Sequence, residues 1–106
     1  IAFTTKLPRS LAVDVMARQL LRSATSIGAN YREANRAESH DDFIHKIALV
    51  EKEASETQYW LELIDESQVA RQPQLPELLR ESRELLAIFT AIGKTAKRNR
   101  SLRKAR

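Results

Sequence analysis

The chain has 106 residues, no cysteine and a formal net charge of +4. Its length is that of one domain, and the lack of cysteine excludes a disulfide framework and a thiolate metal site. Only 2 glycines and 3 prolines accompany abundant alanine, leucine and charged residues, so the composition predicts an all-α protein. No apolar run approaches the roughly 20 residues of a membrane span, and no signal peptide is visible. We therefore expect a cytoplasmic protein with no membrane partner.

The chain opens on what reads as the end of a helix. Residues 1–6 resemble the last turn or two of something longer, so we expect a first helix that is largely missing from this sequence. Pro8 interrupts the chain, because proline is poorly tolerated inside a helix. Ser10 or Asp14 can cap the next helix, which we expect to run to about Ala37.

This first long helix carries two neighbouring stripes. Apolar residues step by three and four along one face, at Val13, Met16, Leu20, Ala24, Ile27, Tyr31 and Ala34. Polar side chains follow beside them, at Gln19, Arg22, Ser23, Ser26, Asn30 and Glu33. Buried polar groups must be paired, so we interpret the polar stripe as a structural network between helices or subunits; a ligand or catalytic site is the alternative. Gly28, costly inside a helix, predicts close approach of another helix.

The pattern Ser39-His40-Asp41-Asp42 is a capping box and predicts a second long helix from about His40 to Val69. Its apolar seam steps by four and three for three heptads, like a coiled coil, at Phe43, Ile47, Val50, Ala54, Thr57, Leu61 and Ile64. A second apolar group lies well off this seam, at Leu49, Tyr59, Trp60 and Leu63. A helix with two apolar faces has neighbours on both sides. We therefore predict that the second group forms an oligomer interface; base stacking by its aromatic rings is the alternative.

A loop over residues 71–76 precedes the last predicted helix, which runs from Pro76 to about Lys97 and is expected to fray into the tail. Its predicted seam is Leu78, Leu85, Phe89, Ile92 and Ala96, flanked by Leu75, Leu79, Leu86 and Ile88. We divide the chain into a helical domain, residues 1–97, and a basic C-terminal tail, residues 98–106.

The positive charge is concentrated at the end of the chain. Residues 94–106 hold seven basic and no acidic side chains, while the rest of the chain holds 11 basic and 14 acidic ones. The body is therefore slightly acidic, and the high pI comes from the tail. A solvated, frayed end is the plain explanation, and nucleic-acid binding is the specific one. The candidate nucleic-acid contacts are Lys94, Lys97, Arg98, Arg100, Arg103 and Lys104.

No catalytic or metal-binding pattern is present. The serines lie in mid-helix, with no Ser-His-Asp order around them. The carboxylates Glu51, Glu53 and Glu56 lack the Glu-x-x-His repeats of bundle metal sites. Helix capping explains the acidic and histidine residues of 40–45 better than a metal site does. We expect no enzyme, no cofactor and no metal.

Ten positions of the first long helix fit the pattern Q-L-x-R-S-A-x-S-I-x-A-N-x-x-E, at Gln19, Leu20, Arg22, Ser23, Ala24, Ser26, Ile27, Ala29, Asn30 and Glu33. With the Leu7-Pro8 turn, the Asp42-Phe43 pair and the aromatic run 59–63, this pattern resembles the 23S rRNA intervening-sequence proteins. Ala34 departs from that family, which often has glycine there. The resemblance implies an antiparallel up-down four-helix bundle and a ring-shaped homopentamer. It also implies kinship with the accessory variability proteins of diversity-generating retroelements. Most of the family has no assigned activity.

These observations predict a non-enzymatic homo-oligomer that binds RNA, DNA or an RNA–protein complex through its basic tails. In a pentamer five tails would gather a charge of about +35, and phosphate contacts would dominate affinity. The alternative is a scaffold that docks a partner protein such as a reverse transcriptase, for which the second apolar face and the acidic body argue.

Overall fold

The computed structural model describes residues 1–5, 7, 10–67 and 73–105 of the chain. All regular structure within these residues is helical, so the predicted all-α helical bundle is confirmed. The elements are α1 (Ala2–Thr5), α2 (Leu11–Ala34), α3 (His40–Ser67) and α4 (Leu75–Lys104). Some residues discussed above lie outside the described ones, namely Lys6, Pro8, Val69, the first two residues of the loop 71–76 and Arg106. Among the described helices, none is long and apolar enough to cross a membrane.

Helix α2 begins as its sequence predicts and ends earlier. The Ser10 hydroxyl accepts a hydrogen bond from the Val13 N–H at 3.1 Å, which satisfies a free donor of the first turn. The predicted end at Ala37 is wrong, because the helix closes at Ala34. Ala34 is buried at the turn, and the chain then reverses within a few residues to begin α3.

The three long helices pack antiparallel, with α3 in the middle. Arg22 on α2 meets Glu53 and Glu56 on α3, while Asp41 near the start of α3 meets Arg100 near the end of α4. Both α2 and α4 pack extensively along α3. The described chain is an elongated bundle of about 56 × 21 × 18 Å.

The predicted seam of α3 is nearly the observed one. The buried residues of this helix are Ile44, Ile47, Val50, Ala54, Thr57, Leu61 and Ile64. The single error is Phe43, which is half-buried while its neighbour Ile44 takes the buried place. Phe43 instead lines an open groove between the start of α3 and α4, beside Ile92 and Ala96.

On α2 and α4 the buried stripes are shifted from the predicted ones. On α2, Ser23 is buried while Ala24 and Tyr31 are exposed. On α4 the buried residues are Leu75, Leu79, Ser82, Phe89, Gly93 and Ala96. The predicted seam residue Leu85 is exposed, and Leu78 is half-buried. The side of each helix that contacts α3 decides which stripe is buried, since Ser23 on α2 meets Thr57 and Gly93 on α4 faces Ile47.

The side of the bundle between α2 and α4 is only partly covered. A Cβ added at Gly28 on α2 would meet nothing within 4 Å among the described residues, so the predicted close helix contact at this glycine is not found there. Leu85 and Ile88 on α4 are exposed. The rings of Tyr31 on α2 and Phe89 on α4 lie 5.6 Å apart between centroids and link the two helices near their middle.

Candidate nucleic-acid interface

The basic segment is part of the last long helix. We expected α4 to fray after about Lys97, which is wrong, because the helix continues to Lys104. The N–H of Ala105 bonds the carbonyl of Ser101 and closes the last turn. Arg103 and Lys104 stand in that turn, where positive charge is favourable beside the negative end of the helix dipole.

Four of the six candidate cations share one side of the helix. At about 100° per residue, Lys94, Lys97, Arg98 and Lys104 fall within an arc of about 120°. We call these four residues the basic strip. They span about 15 Å along the axis at 1.5 Å per residue. All four are exposed, and none forms an ion pair with another described residue.

The two remaining candidates are placed differently. Arg100 lies at 3.6 Å from the Asp41 carboxylate, between Nη1 and Oδ1, so its charge is already partly neutralised within the chain. Arg103 is exposed on the opposite side of the helix from the basic strip. The structure therefore separates the six predicted contacts into one strip and two outliers.

Cations in the first half of α4 have acidic partners. Arg80 bridges Glu77 and Glu84, and Arg83 reaches Glu62 on α3 at 4.0 Å. The guanidinium of Arg80 accordingly holds the pKa of the Glu77 carboxyl below its usual range. The cations of this half of α4 are therefore paired with acids, in contrast to those of the half that carries the basic strip.

The residues at the start of α3 serve capping and packing. The Ser39 hydroxyl accepts from the Asp42 N–H at 3.0 Å, and the Asp42 carboxylate accepts from the Glu38 N–H at 3.2 Å. The Lys46 ammonium donates to the same carboxylate and, with the Glu38 N–H, lowers the pKa of Asp42. The His40 Nε2 donates to the Ala96 carbonyl at 2.7 Å. The described part of the chain contains no cluster of three or more acidic or histidine side chains suited to a metal ion.

Part of the predicted polar network links α2 to α3. The Arg22 guanidinium donates to Gln19 at 3.1 Å within α2, and to Glu53 at 3.4 Å and Glu56 across the helix contact. At the next residue of α2, the hydroxyls of Ser23 and Thr57 lie 3.1 Å apart, and both side chains are buried. The sequence did not identify the three partners on α3, because their proximity depends on the antiparallel register.

The rest of the predicted network is not joined to it. The Ser26 hydroxyl donates to the Arg22 carbonyl within its own helix. Asn30 and Glu33 make no side-chain hydrogen bond to another described residue, and Glu33 is exposed. The described network therefore extends from Gln19 to Ser23 on α2 and does not follow the whole stripe.

The predicted oligomer interface divides into two parts. Trp60 and Leu63 are half-buried and pack against the core of their own chain. Tyr59 and Leu49 are exposed, by 55% and 38%. The rings of Tyr59 and Trp60 meet edge to face at 4.9 Å between centroids. The aromatic pair thus has one ring against the core and one at the surface.

Comparison with known proteins places the chain in a family. Residues 1–91 match the family described as 23S rRNA-intervening sequence protein. The chain belongs to that family. A crystal structure of a protein with unknown function from the S23 ribosomal protein family of Bacteroides thetaiotaomicron VPI-5482 has the same fold, with a TM-score of 0.70 and 45% sequence identity. The match covers 76% of this chain and 74% of that one. No curated protein matches the chain significantly.

Membership of the 23S rRNA-intervening sequence family confirms the predicted resemblance and leaves the activity open. The family description names the genetic element and no reaction, and the solved relative is itself of unknown function. The match ends at residue 91, so the basic strip lies beyond the matched residues. Its role must therefore be argued from the residues themselves.

Proposed function

We propose that this protein binds the phosphate backbone of nucleic acid through the basic strip of α4. The observation that carries the proposal is the continuation of α4 to Lys104, which holds four exposed cations on one side of a helix. Ordered cations lose less conformational freedom on binding than those of a frayed tail would. Because no described acid pairs with the strip, its charge is available to phosphates.

The expected affinity is electrostatic and strongly dependent on salt. Each phosphate neutralised on duplex DNA contributes about −0.9 to the slope of log K against log salt concentration. Four contacts would give a slope near −3.6, which corresponds to a loss of about 150-fold between 50 and 200 mM salt. Backbone contacts carry no sequence information, so structured RNA and duplex DNA should both bind.

The test is a filter-binding titration of both nucleic acids at two salt concentrations. The variant K94A/K97A/R98A/K104A removes the basic strip. The matched control, R80A/R83A, removes two cations from the first half of the same helix, where acidic partners already neutralise them. We expect the variant without the basic strip to lose most of its affinity for nucleic acid and most of the dependence of that affinity on salt. We expect the control to retain both. Equal binding by the strip variant and the unaltered protein would contradict the proposal.

We propose binding rather than catalysis as the activity. This proposal is supported by the hydrogen bonds and burial of the two serine hydroxyls on α2, which are the side chains there that could act as a nucleophile. Ser26 donates to a helix carbonyl, and Ser23 is fully buried against Thr57. Neither hydroxyl is presented to a base or to a substrate.

Self-association would multiply the charge available to one nucleic acid, and we include it in the proposal. We assign the exposed pair Leu49 and Tyr59 on α3 to the contact with a second copy of the chain. The resemblance to the family, which implies a homopentamer, supports this assignment. Light scattering on the variant L49S/Y59S tests this assignment and leaves Trp60, which supports the core, in place. We expect the unaltered protein to be an oligomer and the variant to have a lower mass. A monomeric unaltered protein would contradict self-association.

A second candidate function, docking of a partner protein, is favoured by the exposed apolar side chains of α4. Leu85 and Ile88 are 42% and 52% exposed on the partly covered side of the bundle. Apolar contact survives high salt, whereas phosphate contact does not. Co-purification at elevated salt with the unaltered protein and with L85S/I88S separates the two functions. A partner that remains with L85S/I88S would contradict docking at this surface.

A further inference from the structure

The outer groove between α3 and α4 joins the basic strip to a half-buried carboxylate. Lys52 and Ser55 line it from α3, and Leu86, Thr90 and Lys97 line it from α4, with Glu51 beside Lys52. Lys97 also belongs to the basic strip. A nucleic-acid strand that follows the strip therefore reaches the groove without leaving the positive surface.

Glu51 lines this groove from α3 and forms no ion pair with a described cation. Its Oε2 lies 3.5 Å from the position that a Cβ on Gly93 would occupy, so the carboxylate lies beside α4 at Gly93. Glu51 is half-buried, and no described lysine or arginine stands within ion-pair distance of it. The ionised carboxylate accepts hydrogen bonds and donates none. Because the carboxylate lines the groove, it is placed to accept hydrogen bonds from a ligand there that donates them.

We infer that this groove takes one unpaired guanine base of a bound RNA, with Glu51 accepting from its Watson–Crick edge. Guanine alone presents two adjacent donors there, N1–H and the N2 amino group, which match the two oxygens of a carboxylate. Adenine and cytosine each present one amino donor beside a ring acceptor, and uracil presents one N–H between two carbonyls. Lys52 on α3 and Lys97 on α4 line the same groove, and we assign them to the adjoining phosphates.

The base must be unpaired, because a duplex already uses the guanine donors in pairing. Specific recognition of RNA commonly reads the Watson–Crick edges of unstacked bases in this way. The inference rests on the proposed function, since the phosphates of the strand bring the base to the groove. It adds a preference that the basic strip alone cannot supply, because backbone contacts do not distinguish sequences.

The probes are three fluorescent RNA 12-mers of uridine that differ only at one central position. That position carries guanosine, inosine or uridine, and inosine lacks only the N2 amino group of guanosine. Anisotropy titration at low salt should show guanosine binding at least about fivefold tighter than uridine, the lower end for a bidentate side chain–base pair. Inosine should lie between the two.

Three variants separate reading of the base from holding of the backbone. E51Q keeps the shape of the side chain and replaces one acceptor with a donor, so the three RNAs should bind alike. K52A/K97A should weaken all three by a similar factor and reduce the salt slope while keeping the order. E66Q is the matched control, because Glu66 is an exposed acid of α3 outside the groove. It should preserve the preference for guanosine.

Equal binding of the three RNAs to the unaltered protein, with a steep salt slope, would overturn the guanine inference and leave the proposed function standing. A preference for guanosine that survives E51Q would also overturn it. Absence of salt-dependent binding to any of the three RNAs would overturn the proposed function and the inference together.

Discussion

Substitution of Gly28 by alanine tests whether the side of α2 that faces α4 is open. Gly28 lies in the interior of a 24-residue helix, and a Cβ there would meet nothing within 4 Å among the described residues. Alanine is favoured over glycine in a helix interior by about 0.8–1.0 kcal/mol, because glycine loses more backbone freedom on folding. With no steric cost to set against this gain, G28A should stabilise the chain by nearly that amount.

The change is measured by urea unfolding followed by circular dichroism at two protein concentrations. A gain of 0.8–1.0 kcal/mol corresponds to a rise of about 4 °C in Tm for a domain near this size. The matched control is A24G, which makes the opposite exchange one turn earlier at another exposed position of α2. We expect A24G to lower the free energy of unfolding by about the same amount. Two concentrations are needed because assembly makes apparent stability depend on concentration.

A loss of stability in G28A, together with an ordinary loss in A24G, would refute this reasoning. It would mean that a backbone or side chain lies against Gly28 closely enough to exclude a methyl group, as the sequence pattern suggested. If the loss of stability appears only at high protein concentration, the group that lies against Gly28 belongs to another copy of the chain.

Three further outcomes follow from the packing and caps of the described residues. I47A should lower the free energy of unfolding by about 2–5 kcal/mol in a urea titration, because Ile47 is completely buried; a loss below 1 kcal/mol would contradict its place in the core. S10A should cost about 1 kcal/mol in the same assay by removing the cap on the Val13 N–H, and S10D should retain most of the stability. The lowered pKa of Asp42 stabilises the fold above the ordinary aspartate value of about 3.9, and this contribution is lost as pH falls through the folded-state pKa. D42N should therefore show a shallower fall in stability below about pH 4, and an unchanged acid profile would contradict that role.

Particular residues show how far the sequence determined the fold. Ser10 and the Ser39–Asp42 pair are local signals, since each cap involves residues within four positions of one another, and both predicted caps are present. The apolar spacing along α3 predicted its buried seam almost correctly, because this central helix turns apolar residues toward both of its neighbours. The family was recognised for a similar reason, because its motif is a fixed spacing along one helix.

The tertiary structure decided which of several possible faces is buried. On α4 the leucines favoured Leu85 as a seam residue, yet Leu85 is exposed, whereas Ser82 and Gly93 are buried and Gly93 faces Ile47 of α3. The same contact decided the candidate site. It separated Arg100, paired with Asp41, from the basic strip, and it set Glu51 beside Gly93 in the lining of a groove. The sequence alone determined helices, caps, charge and family, because these depend on neighbours along the chain. Pairings between residues far apart in sequence depend on helix phase and register, which only packing fixes.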